Sequence, residues 1–216
     1  MQVTRLNMAL AMATLLLASC TEVTPGEAST PASNCPSPDV MEHAATILEA
    51  ASKLENASSY LATTTWTNET ESLSGTLSFV APDRFDHKDT ASRLIVIGNK
   101  SYQWLGDMGP VEAPLDPQMM LLLDQTRLLI LGAGISSATP IESRKGEFPS
   151  ARQFRVAFCP NERFEIRDDV DIWVDTDGNP VARRITGTID GRQFRSEVRY
   201  SRLNDSSLRI EPPPAP

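Results

Sequence analysis

Three cysteines, two histidines and a cluster of aspartates are the side chains of this 216-residue sequence whose types could do chemistry. A zinc site needs His or Cys ligands at short, regular spacing. Neither His43 nor His87 stands at such spacing from another His or Cys, and His43 reads as a surface residue of a helix. Asp168, Asp169, Asp171, Asp175 and Asp177 invite calcium, but the Asp-x-Asp-x-Asp-Gly loop is absent and hairpin turns recruit aspartate for backbone reasons. Gly132-Ala133-Gly134 does not follow a strand as a phosphate loop would, and no serine occupies a Gly-x-Ser-x-Gly elbow. The pattern therefore predicts no enzyme, no metal and no cofactor. The thiols remain.

Cys20 closes the phrase Leu17-Ala18-Ser19-Cys20, after the lone charge Arg5 and an uncharged apolar run from Met8 to Ala18. That order is a secretory signal, and the cysteine after Leu-Ala-Ser resembles the lipobox of bacterial lipoproteins. The resemblance implies a diacylglyceryl thioether on Cys20, cleavage before it, and acylation of the new amine. Two or three acyl chains, at about 0.8 kcal/mol per buried methylene, hold a protein on a membrane durably. A plain secretory signal is the alternative; a spanning helix is disfavoured, because the run falls short of the roughly 20 apolar residues needed. Cys35 and Cys159 would then be left outside the cytoplasm, either as a disulfide or as two separate thiols.

Without residues 1–19 the chain keeps 19 positive against 28 acidic side chains, a net charge of −9. It has no electrostatic footprint for nucleic acid and no general basic surface for anionic headgroups. Its length suits one domain with a real core.

The elements follow from periodicity. Thr21 to Pro38 is a Ser/Thr/Pro/Glu-rich tether, and 212–216 is a proline-rich tail. Asp39 caps a helix over 40–56, whose Val40, Ala44, Ile47, Leu48, Ala51 and Leu54 share one face. Period two then takes over: Tyr60, Ala62, Thr64 and Trp66; Leu73, Leu77 and Phe79; the run 93–97; Tyr102 and Trp104. Asp116-Pro117 opens a second helix, apolar over most of its circumference, that ends at Gly132. Alternation resumes in Phe154, Val156 and Phe158, in Val170, Ile172 and Val174, and in Phe194, Val198 and Tyr200. Gly98-Asn99, Asp177-Gly178 and Asp190-Gly191 mark hairpins. The pattern predicts an antiparallel sheet with one wet and one apolar face, the latter covered by two helices.

This order of elements resembles the LolA/LolB-type lipoprotein-carrier superfamily and the LppX/LprG-type lipoproteins. The likeness is carried by Leu94-Ile95-Val96-Ile97-Gly98-Asn99-Lys100-Ser101-Tyr102, by the stretch from Asp171 to Arg184, and by the ending from Tyr200 to Pro213. It implies an α+β fold over 39–211, with a strongly curved antiparallel half-barrel and helices over its concave apolar face. By the same likeness, Tyr60, Trp66, Leu77, Phe79, Leu94, Val96, Trp104, Met119, Leu122, Leu123, Leu129, Phe154, Val156, Ile172, Val174, Phe194 and Val198 line a ligand cavity. The ligand would be a lipid or acyl chain, carried or transferred at the bacterial cell envelope by a protein anchored through Cys20 to the extracytoplasmic face of the cell membrane or outer membrane. The same apolar residues also suit a dry core, which leaves open an envelope sensor, regulator or structural lipoprotein acting through a protein partner.

Overall fold

The computed structural model describes residues 42–90, 92–105, 109–115, 135–141, 147–158, 169–189 and 191–214. The signal segment with Cys20, the tether, Cys35, Cys159 and the apolar segment 117–131, with Met119, Leu122, Leu123 and Leu129, lie outside them.

A helix, α1 (Glu42–Glu55), precedes eleven strands: β1 (Ser59–Asn68), β2 (Ser72–Val80), β3 (Arg84–Asp89), β4 (Ser92–Ile97), β5 (Lys100–Leu105), β6 (Val111–Pro114), β7 (Ile135–Ile141), β8 (Ala151–Phe158), β9 (Asp169–Asp175), β10 (Pro180–Ile189) and β11 (Arg192–Ser201). They form one sheet in the order β6-β5-β4-β3-β2-β1-β11-β10-β9-β8-β7, antiparallel throughout. Two meanders, β1–β6 and β7–β11, are joined where β1 pairs with β11. The sheet is open, with β6 and β7 at its ends. It is not a closed barrel.

Turn chemistry sets the register. Gly98, at φ 62°, lets β4 return as β5 with Ile97 opposite Lys100. Between β9 and β10, the Asp175 carboxylate accepts the amides of Asp177 (2.9 Å) and Asn179 (2.8 Å) and the Asn179 side-chain amide (3.1 Å). Burial works to raise its pKa, but those bonds and the charge of Lys53 hold it below the ordinary carboxylate value. Asp175 thus serves the backbone of the turn.

α1 buries Ala44, Ile47, Ala50, Ala51 and Leu54, the i, i+3, i+4 stripe that an amphipathic helix presents to a core. It packs chiefly on β7, β9 and β10. At its C-terminal end Lys53 Nζ donates to Asp177 O at 2.6 Å and pairs with Glu49 at 3.0 Å, fastening the helix to the β9–β10 turn. A cation there also complements the helix dipole. After β11 the chain folds back: Asn204 Oδ1 accepts Ser58 N, Ser59 Oγ donates to Asp205 O, and Arg84 Nη1 donates to Ile210 O, so Leu208 and Ile210 are buried.

One helix covers the sheet among the described residues. The second expected cover, residues 117–131, falls outside them.

Candidate functional site

Residues directly opposite in an antiparallel pair share a face, so the registers assign every side chain to a side. The face carrying α1 is called inner here. Across it runs a row Ser101, Val96, Phe85, Phe79 and Tyr60 from β5 to β1. The adjacent row is Gln103, Leu94, His87, Leu77, Ala62 and Tyr200. The next passes from Thr64 through Val198, Arg183 and Ile172 to Phe154. Last come Leu73, Trp66, Ser196, Ile185, Val170 and Val156, with Phe194 beyond.

The inner face is aromatic at its centre. Phe79 lies 5.0 Å from Tyr60 and 5.2 Å from Phe85, ring to ring, and Tyr60 meets Tyr200 edge-on at 6.3 Å. Tyr60, Leu77, Phe79, Leu94, Val96, Phe154, Val156, Ile172, Val174, Phe194 and Val198 are all buried on this side. Trp66 is half-buried, and its cross-strand partner Leu73 is 42 % exposed, so the apolar field reaches solvent at that end.

Trp104 does not belong to this group. It pairs with Arg93, whose partner across β3 is Lys88, and so lies on the outer face with the Arg93 guanidinium 5.1 Å above its ring. Ser101 and Gln103 take the inward positions of β5 instead. Tyr102, next to Trp104 in the alternation, is outward as well.

Two polar side chains sit where the sequence suggested only apolar ones. His87 pairs with Leu77 and Leu94, and its Nε2 lies 3.2 Å from where a side chain on Gly75 would begin. Glycine there leaves room for the imidazole. Burial pushes the His87 pKa below its ordinary value against the pull of Asp89 and Asp86, so the ring is neutral at neutral pH and joins the apolar surface. Arg183 pairs with Val198 and Ile172 and is only 5 % exposed. Its neighbour Arg184 points the other way, and that adjacency is the one sequence signal for an inward arginine.

The outer face is less wet than simple alternation predicts. Glu197 is 3 % exposed and accepts from Arg184 (2.7 Å), Arg195 (2.8 Å) and Arg199 (2.6 Å). Glu147, from the turn before β8, also binds Arg184 and reaches Arg199 at 2.9 Å. Phe148 packs on Trp173 at 5.3 Å while Arg184 and Arg199 stack on those two rings, so Trp173 is buried on a face expected to be polar. Burial works to raise the Glu197 pKa, but its three arginines bring it down to about 2. This is a structural clamp over β9–β11, with every charge answered.

Among the described residues no three His, Cys, Asp or Glu side chains group as metal ligands. Among the described residues the inner face offers hydrocarbon, rings, the neutral His87 imidazole, the buried Arg183 and, toward β8, Arg152, whose guanidinium lies 5.5 Å over the Phe154 ring; its extent is mainly apolar.

No protein-family model matches this sequence, and no curated protein matches it. Solved structures do. The lipoprotein LppX of Mycobacterium tuberculosis is 14 % identical and superposes with a TM-score of 0.51 over 76 % of this chain and 96 % of its own. A LolA superfamily protein of Nitrosomonas europaea is 10 % identical, with a TM-score of 0.30 over 79 % of this chain and 94 % of its own. The Pseudomonas aeruginosa MucA/MucB complex gives 10 % identity and a TM-score of 0.35, with 72 % of this chain covering 56 % of the matched one. The comparison with LppX carries the conclusion: this chain has an LppX-like fold, and the resemblance to LppX-type lipoproteins read from its sequence holds at the level of fold.

Proposed function

We propose that this chain is an envelope lipoprotein, tethered through Cys20, that holds a lipid or acyl chain against the inner face of its sheet. The observation that supports the reading is the inner face itself. Its buried apolar side chains extend well beyond α1, which packs chiefly on β7, β9 and β10, to Leu77, Phe79, Phe85, Leu94 and Val96 on β2–β4. The second helix, expected at 117–131, then acts as an adaptable cover, its leucines and methionines suited to irregular hydrocarbon.

Chain length supports a curved sheet. Residues 115–134 connect β6 to β7, the two ends of the strand order. With 117–131 helical, that connection reaches about 45 Å at full stretch. Eleven strands laid flat span about 48 Å. A connection of that length favours a sheet whose two ends curl toward each other.

Moving a sixteen-carbon chain out of water gains about 12 kcal/mol, at about 0.8 kcal/mol per methylene. Keeping two thirds of that after ordering costs gives micromolar binding. No covalent step is required, and opening the cover suffices for exchange. Protein beginning at residue 21 is expected to bind a fluorescent sixteen-carbon fatty-acid analogue at about micromolar concentration. Unchanged probe fluorescence up to the probe's solubility limit contradicts the reading.

A further inference from the structure

We infer that the inner face is a proton-sensitive site: in acid, His87 takes up a proton and the face loosens its hold on an uncharged acyl chain. The inference rests on the lipid-binding reading above and adds its regulation.

Placement makes His87 the sensor. Phe85 stands opposite Phe79 and Val96, so β3 turns Phe85, His87 and Asp89 to the inner face. His87 is then flanked by Leu77 on β2 and Leu94 on β4, both buried. These three strands carry the part of the apolar field that α1, packed chiefly on β7, β9 and β10, leaves to a ligand. A hydrocarbon that covers Leu77 and Leu94 covers the imidazole between them. The ring also leans over Gly75, where a β-carbon would lie 3.2 Å from His87 Nε2 and 3.3 Å from Thr64 Oγ1. Glycine at that position lets the imidazole lie within the sheet surface.

The surroundings do not hold a proton on the ring. Among the described residues, the charges that act on it come from β3 itself: Asp89, two residues on, and Asp86, from the outer side of the strand. Both carboxylates have other work. Asp89 accepts Ser92 N at 2.7 Å and Ser92 Oγ at 2.8 Å, and Asp86 accepts Arg93 Nε at 2.9 Å and Nη2 at 2.7 Å. β2 and β4 present Gly75, Leu77 and Leu94 to the ring, β1 presents Ala62 and Thr64, and Lys88 and Arg93 lie on the outer face. Burial outweighs both carboxylates and sets the His87 pKa below its ordinary value of 6.5.

Linkage gives the sign. A bound chain removes the water that remains near the ring, which penalises the charged imidazole further. Proton and chain therefore compete, and each weakens the other by the same factor. Affinity is full above the His87 pKa of the free protein and falls as pH drops through it. The outer clamp does not share that range, because Glu197, with a pKa of about 2, stays ionised. Acid reaches the site before it reaches the clamp.

The test titrates a pyrene-labelled hexadecanol, which carries no ionisable group, into protein beginning at residue 21 and into its His87→Gln and His43→Gln variants. The native protein is expected to bind the probe about fivefold more weakly at about pH 5 than at about pH 7.5. His87→Gln, neutral at both values, should bind equally at the two. His43→Gln, which alters the other of the two histidines, should keep the native difference. Proton magnetic resonance of the imidazoles gives a second readout, with His43→Gln assigning the signal: the His87 titration midpoint should move down when the probe binds. That shift decides the matter if His87→Gln does not fold. Equal native affinity at the two pH values overturns the inference and leaves lipid binding intact. So does a difference that survives in His87→Gln, or a His87 midpoint that bound probe does not move. Absence of binding at either pH overturns both readings.

Discussion

Phe79→Ala is expected to lower the free energy of unfolding by about 3–5 kcal/mol, the range for deleting a buried phenyl ring from a packed core. Phe79 is 2 % exposed, lies between the rings of Tyr60 and Phe85, and forms a cross-strand pair with each. Its removal empties the centre of the row on which β1, β2 and β3 converge. The loss combines the transfer energy of the ring with a cavity that backbone-bonded strands cannot close. Urea unfolding followed by tryptophan fluorescence measures it. A cost below about 1 kcal/mol would mean that this part of the inner face is loose, and the description of the core would be wrong. The outward Trp104→Ala substitution is the contrast: it removes a surface stacking partner of Arg93 and should cost under about 1 kcal/mol.

Glu197→Gln should cost about 3 kcal/mol at pH 7, because it leaves three guanidiniums on the outer face with Glu147 as their main counter-charge. The pH dependence gives an independent check. The folded pKa of Glu197 is about 2, below the ordinary value of 4.5. Its ionised form therefore adds stability that is complete above about pH 4.5 and is lost as pH falls through about 2. Native protein and Glu197→Gln should differ most at neutral pH, with the gap roughly halved near pH 3. Equal urea midpoints at pH 7 would show that the clamp contributes nothing.

Local chemistry made much of this fold readable. The α1 stripe, the hairpins at Gly98, Gly178 and Gly191, and the inward alternation of β8, β9 and β11 depend on neighbours in sequence, where period and turn residues act directly. The pairing of β1 with β11 depends on residues some 130 positions apart, and no local pattern encodes it. β3 is largely charged, and the short β6 and the Ser/Thr/Pro-containing β7 lack clean alternation, so no local period marks them as strands.

Trp104 shows a second limit. In a six-residue strand that alternates Tyr102 and Trp104 with Ser101 and Gln103, hydrophobicity favours the aromatics inside. The Val96–Ser101 pairing fixes the reverse, and a stacked arginine makes the outward, half-buried ring tolerable. Arg183 shows a third. A rule that sends charge outward cannot place two adjacent arginines on a strand, and one of them had to face in. Phe148 lies in a turn whose sequence carries no sign of the ring it covers.

The central claim is that the inner face shelters a lipid, and native mass spectrometry of the protein, taken from its own membranes in mild detergent, tests it most directly. The expected spectrum contains the covalently acylated chain plus a further mass of one lipid, released intact on collisional activation and extractable with organic solvent. A spectrum of the acylated chain alone, unchanged after incubation with excess lipid, would contradict the account and leave the inner face as an ordinary core.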